Sequence, residues 1–96
     1  MSTELTIRDN PEEQRYEARL GSDVVGYSAY RLEPGRITVV HTEVDPEYEG
    51  KGIASRLVAG ELDDIRGRGL ELVPICPFVR SYLERHPEHA DLVATT

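Results

Sequence analysis

The middle of the chain runs through a strand pattern, a glycine-rich turn, a helix pattern and a second strand pattern without a break. The segment "RITVVHTEV" (Arg36–Val44) is rich in β-branched residues, as strands are. From about residue 52 to 66, apolar residues recur at the 3.6-residue period of a helix. They are Ile53, Leu57, Val58, Leu62 and Ile65. With "LELVPIC" supplying a second strand over 70–75, this unit is expected to cross over right-handed with its two strands parallel.

The remaining elements complete a mixed sheet. "RYEARL" (Arg15–Leu20) and "VVGYSAYRL" (24–32) flank the turn "GSD" and predict a hairpin, with an early strand possible at 5–8. Pro77 opens a short helix that ends before Pro87. The order β-β-β-α-β-α predicts an α/β (α+β) fold with about five strands, in one domain over residues 1–96.

Regular alternation along the strand 36–44 predicts two distinct faces. One face carries Ile37, Val39, His41 and Glu43, and the other carries Thr38, Val40, Thr42 and Val44.

Composition narrows the class of protein. The chain has 96 residues and a formal charge of −7, from 18 acidic and 11 basic residues, which argues against nucleic-acid binding. No apolar run approaches the roughly 18 residues of a membrane span, and the start "MSTELTIRDN" lacks a signal-peptide pattern. A single cysteine suits a reducing compartment, so we expect a cytoplasmic domain. The negative charge is compatible with a cationic substrate, and equally with a role in solubility alone.

The turn before the helix has the features of an anion site. The first N–H groups of a helix have no internal partner, and the helix dipole adds positive potential there. Gly50 and Gly52 allow a pyrophosphate to approach the backbone closely, Lys51 adds a positive charge, and Ser55 adds a hydroxyl. The same residues also suit a tight strand-to-helix turn that binds nothing.

A family resemblance extends this interpretation. "HTEVDPEYEGKGIASRLVAGELDDIRGRGL", followed by "LVPICPFVRSYLERHPEH", resembles the GNAT superfamily of N-acetyltransferases in its minimal single-domain branch. The superfamily signature is a strand ending in Val, then Pro, then [Q/R]-x-x-G-x-[G/A] at the start of a helix. The matching positions are Val44, Pro46, Glu49, Gly52 and Ala54. The resemblance covers roughly residues 14–90.

The resemblance implies an acetyl-CoA site between two splayed parallel strands. Pyrophosphate would bind the N–H groups of residues 49–55, the pantetheine arm would lie along 42–44, and the thioester would lie near 75–78. The implied cofactor-binding residues are Thr42, Glu43, Val44, Glu49, Gly50, Lys51, Gly52, Ile53, Ala54, Ser55, Cys76 and Phe78.

Two departures from the family pattern matter. Glu49 stands where the family has Gln or Arg, which weakens the pyrophosphate contact and leaves Lys51 as the nearest compensating charge. The chain also lacks the pair of helices that larger members carry between their first two strands. An open acceptor site is therefore expected.

Two candidate catalytic residues follow from the resemblance near the expected thioester. Tyr82 matches the tyrosine that lies near the CoA sulfur as general acid in many GNAT enzymes; alternatively, it packs under the last helix. Cys76 either takes the acetyl group covalently, with its thiolate favoured by the following helix, or only packs. Direct transfer is the usual route in the family.

Three histidines and one acid complete the candidates. His41 or Glu43 could carry protons away from the amine, since a base must lie within hydrogen-bond reach of it or one water away. A histidine inside a strand is also often a core residue. His86 and His89 have the sequence context of surface residues, and two histidines without a third ligand do not indicate a metal.

The expected function is acetyl-CoA-dependent N-acetylation of a primary amine, on a protein lysine or a small molecule, by direct transfer. The alternative is a module that binds CoA or acetyl-CoA without substantial turnover. A purely structural domain without a cofactor is a third reading. The acceptor and the oligomeric state are left open by the sequence.

Overall fold

The elements follow the predicted order closely. The structure, a computed structural model, describes residues 4–94. Its strands are β1 (Leu5–Asn10), β2 (Arg15–Leu20), β3 (Asp23–Glu33), β4 (Arg36–Val44) and β5 (Glu71–Pro74). Its α-helices are α1 (Ile53–Gly67) and α2 (Pro77–Arg85), and 3-10 helices lie at Pro46–Tyr48 and Pro87–Leu92. The two 3-10 helices were not predicted.

The strands form one mixed sheet in the order β1-β2-β3-β4-β5. Neighbouring strands are antiparallel except for β4 and β5, which are parallel. The predicted α+β fold with a five-stranded mixed sheet is thus confirmed. The turn at 11–14 joins β1 directly to β2, so no helix pair lies between the first two strands.

A β-bulge at Val40 changes which side chains of β4 share a face. Tyr30 of β3 pairs with Val39, but Ala29 pairs with His41, so Val40 is an extra residue in β4. Thr42, which pairs with Ser28, therefore returns to the face occupied by Val39. The prediction that His41 and Glu43 share a face with Ile37 and Val39 is wrong, because it assumed unbroken alternation.

The two parallel strands separate just beyond the bulge. They pair over residues 36–39 of β4 and 71–74 of β5. Pro74 has no N–H to continue the ladder, and the N–H groups of Ile75 and Cys76 both donate to the Val39 carbonyl, at 3.0 Å each. The remainder of β4 pairs only with β3. The predicted splay of the parallel strands is therefore confirmed.

The core lies between α1 and the sheet. Four residues of the predicted helical stripe are fully buried: Leu57, Val58, Leu62 and Ile65. Burying an aliphatic side chain of this size contributes roughly 1.5–3 kcal/mol relative to leaving it exposed. Tyr16, Ile37 and Leu72 meet this stripe from the sheet. No helix within residues 4–94 is long and apolar enough to cross a membrane.

The opposite face of the sheet holds a buried carboxylate. Glu17 is 1% exposed and accepts hydrogen bonds from Arg15 Nε (2.8 Å), Arg19 Nε (3.0 Å) and Asn10 Nδ2 (3.1 Å). Burial opposes its ionisation, but these hydrogen bonds outweigh burial and lower the pKa of Glu17 to about 2. The Asn10 bond links β1 to β2, whereas the two arginine bonds lie within β2 and balance the charge of the carboxylate.

The end of the described chain returns to β5. The Ala94 N–H donates to the Leu72 carbonyl at 2.8 Å, and Val93 forms a bridge with Leu72. His86 and His89, expected to be surface residues, are half-buried, because both approach the ring of Tyr82.

The contact between α1 and β1 depends on a glycine. A Cβ on Gly60 would lie 2.9 Å from Ile7 Cβ and Cγ2, whereas one on Gly67 would meet no atom within 4 Å. We predict that Gly60→Ala destabilises the protein by about 1–3 kcal/mol through overpacking, although alanine favours helix. The control Gly67→Ala should be neutral or stabilising. Denaturant unfolding measures both; equal stability of the two variants would contradict the prediction.

Candidate active site

A cleft of about 320 Å³ lies along the end of β4, beyond the residues that pair with β5. The end of β4, the loop after it, the first turn of α1 and the start of α2 form its walls. Its lining residues are Thr42, Val44, Tyr48, Glu49, Gly50, Gly52, Ile53, Ala54, Ser55 and Phe78.

The glycine turn has the backbone geometry that an anion site needs. Gly50 (φ 81°) and Gly52 (φ 75°) both adopt left-handed conformations, which side chains other than glycine rarely tolerate. Gly52 caps α1, and the Arg56 N–H makes the first helical bond to its carbonyl at 3.1 Å. The N–H groups of residues 53–55 precede that bond and lie at the cleft. They therefore form the positive end of the α1 dipole.

The loop before this turn is fixed by Asp45. Its N–H donates to the Val25 carbonyl (2.8 Å), and its Oδ1 accepts from the Glu47 N–H (3.0 Å). Its carbonyl accepts from the Tyr48 N–H at 2.8 Å, which holds Tyr48 against the cleft. Sequence reasoning missed Tyr48; an aromatic residue between the proline and the glycines was the available signal.

Nine of the twelve predicted cofactor-binding residues line the cleft. They are Thr42, Val44, Glu49, Gly50, Gly52, Ile53, Ala54, Ser55 and Phe78. The other three lie elsewhere. Glu43 points to the opposite face of β4. Lys51 Nζ lies 5.7 Å from the centre of the Tyr48 ring. The Cys76 thiol contacts the Thr42 hydroxyl but does not itself line the cleft.

Cys76 is buried at the start of α2. It is 2% exposed, and its thiol donates to Thr42 Oγ1 at 3.4 Å. Cys76 therefore contacts a residue that lines the cleft without lining the cleft itself.

Thr42 also belongs to a buried polar network. Its Oγ1 lies 3.2 Å from Ser28 Oγ on β3, which donates to Glu61 Oε2 on α1 at 2.9 Å. Glu61 is fully buried, and its Oε1 has no hydrogen-bond partner within residues 4–94. Burial raises the pKa of Glu61 to about 8, against the opposing effect of the Ser28 hydrogen bond. Glu61 was not predicted, although an acid inside the apolar stripe of the helix was a visible signal.

The structure brings His41 and Glu43 together on the other face of the sheet. His41 Nε2 lies 3.4 Å from Glu43 Oε1, and Tyr27 donates to Glu43 Oε2 at 3.5 Å. The side chains of His41 and Glu43 are 57% and 60% exposed. This pair lies opposite the Thr42 side chain, so its suggested role as a base stays a prediction.

Tyr82 packs away from the cleft lining. It is 6% exposed and stacks on His86 with ring centres 4.1 Å apart. Burial raises the pKa of the Tyr82 phenol, and Glu88 and Asp63 add to the effect. Phe78, one turn earlier on α2, is the aromatic residue of this helix that lines the cleft. The suggested role of Tyr82 as general acid also stays a prediction.

The splayed sheet and the glycine turn at the cleft define a GCN5-like acyltransferase domain. The family model for GCN5-related N-acetyl-transferases matches residues 15–92. The chain therefore belongs to the GCN5-related N-acetyltransferase family, the GNAT acetyltransferases. Among curated proteins, none matches this sequence.

Two solved structures resemble this fold. A GCN5-like protein from Staphylococcus aureus, studied by NMR, has a TM-score of 0.72 at 22% identity; the match covers 100% of this chain and 93% of that one. A ribosomal-protein-alanine N-acetyltransferase from Brucella melitensis biovar Abortus 2308 has a TM-score of 0.53 at 25% identity. That match covers 85% of this chain and 62% of the Brucella chain.

The raised pKa of Glu61 leads to a prediction about how stability depends on pH. A glutamate whose folded pKa is about 8 stabilises the fold most below its ordinary pKa of about 4.3 and loses that contribution as pH rises through 8. Between these values the free energy of unfolding should fall by up to about 1.4 kcal/mol per pH unit. Glu61→Gln should remove this slope, as measured by denaturant unfolding.

The exposed Glu84 of α2 offers a matched control. Glu84→Gln should keep the wild-type slope. A wild-type slope that survives in Glu61→Gln would contradict the assignment to Glu61.

Proposed function

We propose that this protein is an acetyl-CoA-dependent N-acetyltransferase that transfers the acetyl group directly to a primary amine. One observation carries the proposal: the cleft runs along the end of β4 that no longer pairs with β5 and includes the first turn of α1, whose N–H groups have no helical partner. A cleft with this form matches an elongated ligand that carries a pyrophosphate at one position and a thioester at another.

The residues present fit the cofactor. A Cβ on Gly50 or Gly52 would meet no protein atom within 4 Å, so no protein group fills the space beside these glycines of the cleft lining. Beyond Val39, the edge of β4 that faces away from β3 has no strand partner within residues 4–94, which leaves its backbone groups free for the pantetheine amides. When bound, acetyl-CoA supplies an acyl thioester that an amine can attack.

Charge near the site suggests how the ligands are recognised. The pyrophosphate would meet the α1 N–H groups, with Lys51 nearby and Glu49 opposing. On the opposite face of the sheet, Glu43 and Asp45 line a second cleft of about 280 Å³ with Tyr27. These carboxylates favour a cationic acceptor, which His41 or Glu43 would deprotonate.

The acceptor class is a primary amine on a protein or on a small molecule. The name of the Brucella relative points to a ribosomal protein as that enzyme's acceptor, so a protein amine is within this class. The single free cysteine favours a reducing compartment, and we place the activity in the cytoplasm.

A second candidate function is a CoA-binding module without substantial turnover. One observation favours it: none of the four proposed catalytic residues, His41, Glu43, Cys76 and Tyr82, lines the cleft. Assay of a broad panel of amines with acetyl-CoA separates the two functions.

Cofactor binding predicts a large rise in thermal stability. At 100 times Kd, a ligand adds about 2.7 kcal/mol, and each kcal/mol raises the Tm of a domain this small by roughly 4–8 °C. We expect acetyl-CoA and CoA, but not simple nucleotides, to give this rise. Gly52→Glu should abolish it, because the new carboxylate would block and repel the pyrophosphate.

Gly35 provides the control for this variant. It has φ 77° and no atom within 4 Å of an added Cβ, so Gly35→Glu introduces the same backbone strain and charge in the turn between β3 and β4. Gly35→Glu should keep the rise in Tm. A rise in Tm on addition of acetyl-CoA that persists in Gly52→Glu would contradict the proposed pyrophosphate site.

Direct transfer makes a prediction about Cys76 and Tyr82. Because neither residue lines the cleft, Cys76→Ala and Tyr82→Phe should keep kcat within about tenfold, as a general acid is worth 10²–10⁴. Mass spectrometry after incubation with acetyl-CoA alone should find no acetyl group on Cys76. An acetylated Cys76 would contradict direct transfer, and a 10²-fold loss in Tyr82→Phe with CoA binding intact would identify Tyr82 as the acid.

A further inference from the structure

A continuous chain of hydrogen bonds connects the interior of the protein to the cleft. It begins at Glu61 Oε2 on α1, passes through Ser28 Oγ on β3 at 2.9 Å, and reaches Thr42 Oγ1 on β4 at 3.2 Å. Thr42 lines the cleft and also accepts the Cys76 thiol at 3.4 Å. Every link is a group that can both donate and accept a proton once Glu61 is protonated.

The geometry of this chain depends on the Val40 bulge. Ser28 faces α1, and the bulge is what returns Thr42 to the same face, directly opposite Ser28. Without the extra residue, Thr42 would point to the other face of the sheet, because a shift of one residue exchanges the two faces of a strand.

Packing alone gives no reason for a carboxyl at position 61. Its neighbours along the buried stripe are Leu57, Val58, Leu62 and Ile65, and a leucine would continue that stripe. Glu61 instead buries two oxygens, of which Oε1 has no partner within residues 4–94. An unpaired buried polar group costs about 1–3 kcal/mol. A role in the reaction would account for this cost.

Other ionisable groups near α1 are engaged elsewhere. On the sheet, Tyr16 of β2 donates to Asp64 at 2.6 Å, and Tyr30 of β3 donates to Asp9 of β1 at 2.6 Å. From α2, Tyr82 packs in the core and stacks on His86, and β4 faces α1 with apolar residues and Thr42. None of these ionisable groups hydrogen-bonds to Glu61 in the described part of the chain. Burial raises the pKa of Glu61 to about 8, so the carboxyl holds its proton at neutral pH.

We propose that Glu61 is the proton store of the transfer reaction and exchanges its proton with the cleft through Ser28 and Thr42. This inference rests on the proposed function. Glu61 touches no reacting atom and is therefore a positioning residue for the proton, acting through Thr42.

The proton balance is simple. The amine nitrogen bonds to the acetyl carbon and loses a proton to His41 or Glu43, which passes it to solvent, and the carbon–sulfur bond breaks with its electron pair on sulfur. Thr42 gives its hydroxyl proton to that sulfur, Ser28 reprotonates Thr42, and Glu61 reprotonates Ser28. After the thiol leaves, solvent protonates Thr42 and the chain runs in reverse, which restores the Glu61 carboxyl.

Thr42 provides the sharpest test, because valine is nearly isosteric and serine keeps the hydroxyl. Thr42→Val should lower kcat by about 10²-fold or more, the range of general acid catalysis, with CoA binding retained. Thr42→Ser should restore most of the activity. Thr38→Val, a matched change elsewhere on β4, should leave kcat unchanged. Equal activity of Thr42→Val and Thr38→Val would overturn the proposed proton relay from Glu61 through Ser28 to Thr42.

The Glu61→Gln variant tests whether Glu61 is the proton store. Gln cannot exchange the proton, so kcat should fall by a similar factor, and the titration near pH 8 should disappear from its pH profile. An unchanged pH profile would overturn the proposal. Ser28→Ala breaks the same chain and decides the matter if Glu61→Gln fails to fold.

An infrared measurement tests the relay without turnover. The carboxylic acid band of Glu61, identified by its loss in Glu61→Gln, should change when CoA binds to the wild type. It should not change with desulfo-CoA, which lacks the sulfur, nor with CoA in Thr42→Val. Identical responses to CoA and desulfo-CoA would overturn the relay. A wild type that binds CoA but acetylates no amine would overturn the proposed function, and the infrared response would still decide the relay.

Discussion

The extra residue at Val40 is the constraint on which the site depends. The bulge ends regular alternation in β4, and the loss of pairing to β5 follows immediately, where Pro74 has no N–H to offer. The same shift turns Thr42 toward α1 and sends His41 and Glu43 to the opposite face. The bulge thus helps to open the cleft and places the Thr42 hydroxyl on the cleft wall. It also separates this hydroxyl from the exposed pair His41 and Glu43.

Two buried carboxyl groups, one on either side of the sheet, have chemically different surroundings. On one face, Glu17 has several cationic and amide donors, so its carboxylate stays ionised and its hydrogen bonds are satisfied. On the other side, Glu61 of α1 has only the Ser28 hydroxyl as a hydrogen-bond partner among residues 4–94, and burial keeps it protonated at neutral pH. Two glutamates of the same fold therefore differ in ionisation because of the partners around them.

The sequence was sufficient to predict the strands, the α-helices and most of the residues that line the cleft, because these follow from local patterns. The 3.6-residue period located α1, and the glycines located its capped start at Gly52. The bulge was not predicted, because no glycine or proline marks a break near Val40, although the consecutive residues Val39 and Val40 do interrupt the apolar–polar alternation. The positions of His41, Glu43 and Cys76 relative to the cleft depend on that bulge and on the separation of the strands, which are properties of strand pairing.

The cost of Glu61 argues that the network serves more than the fold. Domains typically have a free energy of unfolding of about 5–15 kcal/mol, and a chain of 96 residues has a small hydrophobic core. An unsatisfied buried carboxyl oxygen removes a substantial part of that margin. Because the carboxyl adjoins a hydroxyl chain that ends at the cleft, the same burial that weakens the fold keeps a proton available where the separated strands admit a ligand. The structural cost and the chemical benefit thus have one physical cause, the removal of Glu61 from water.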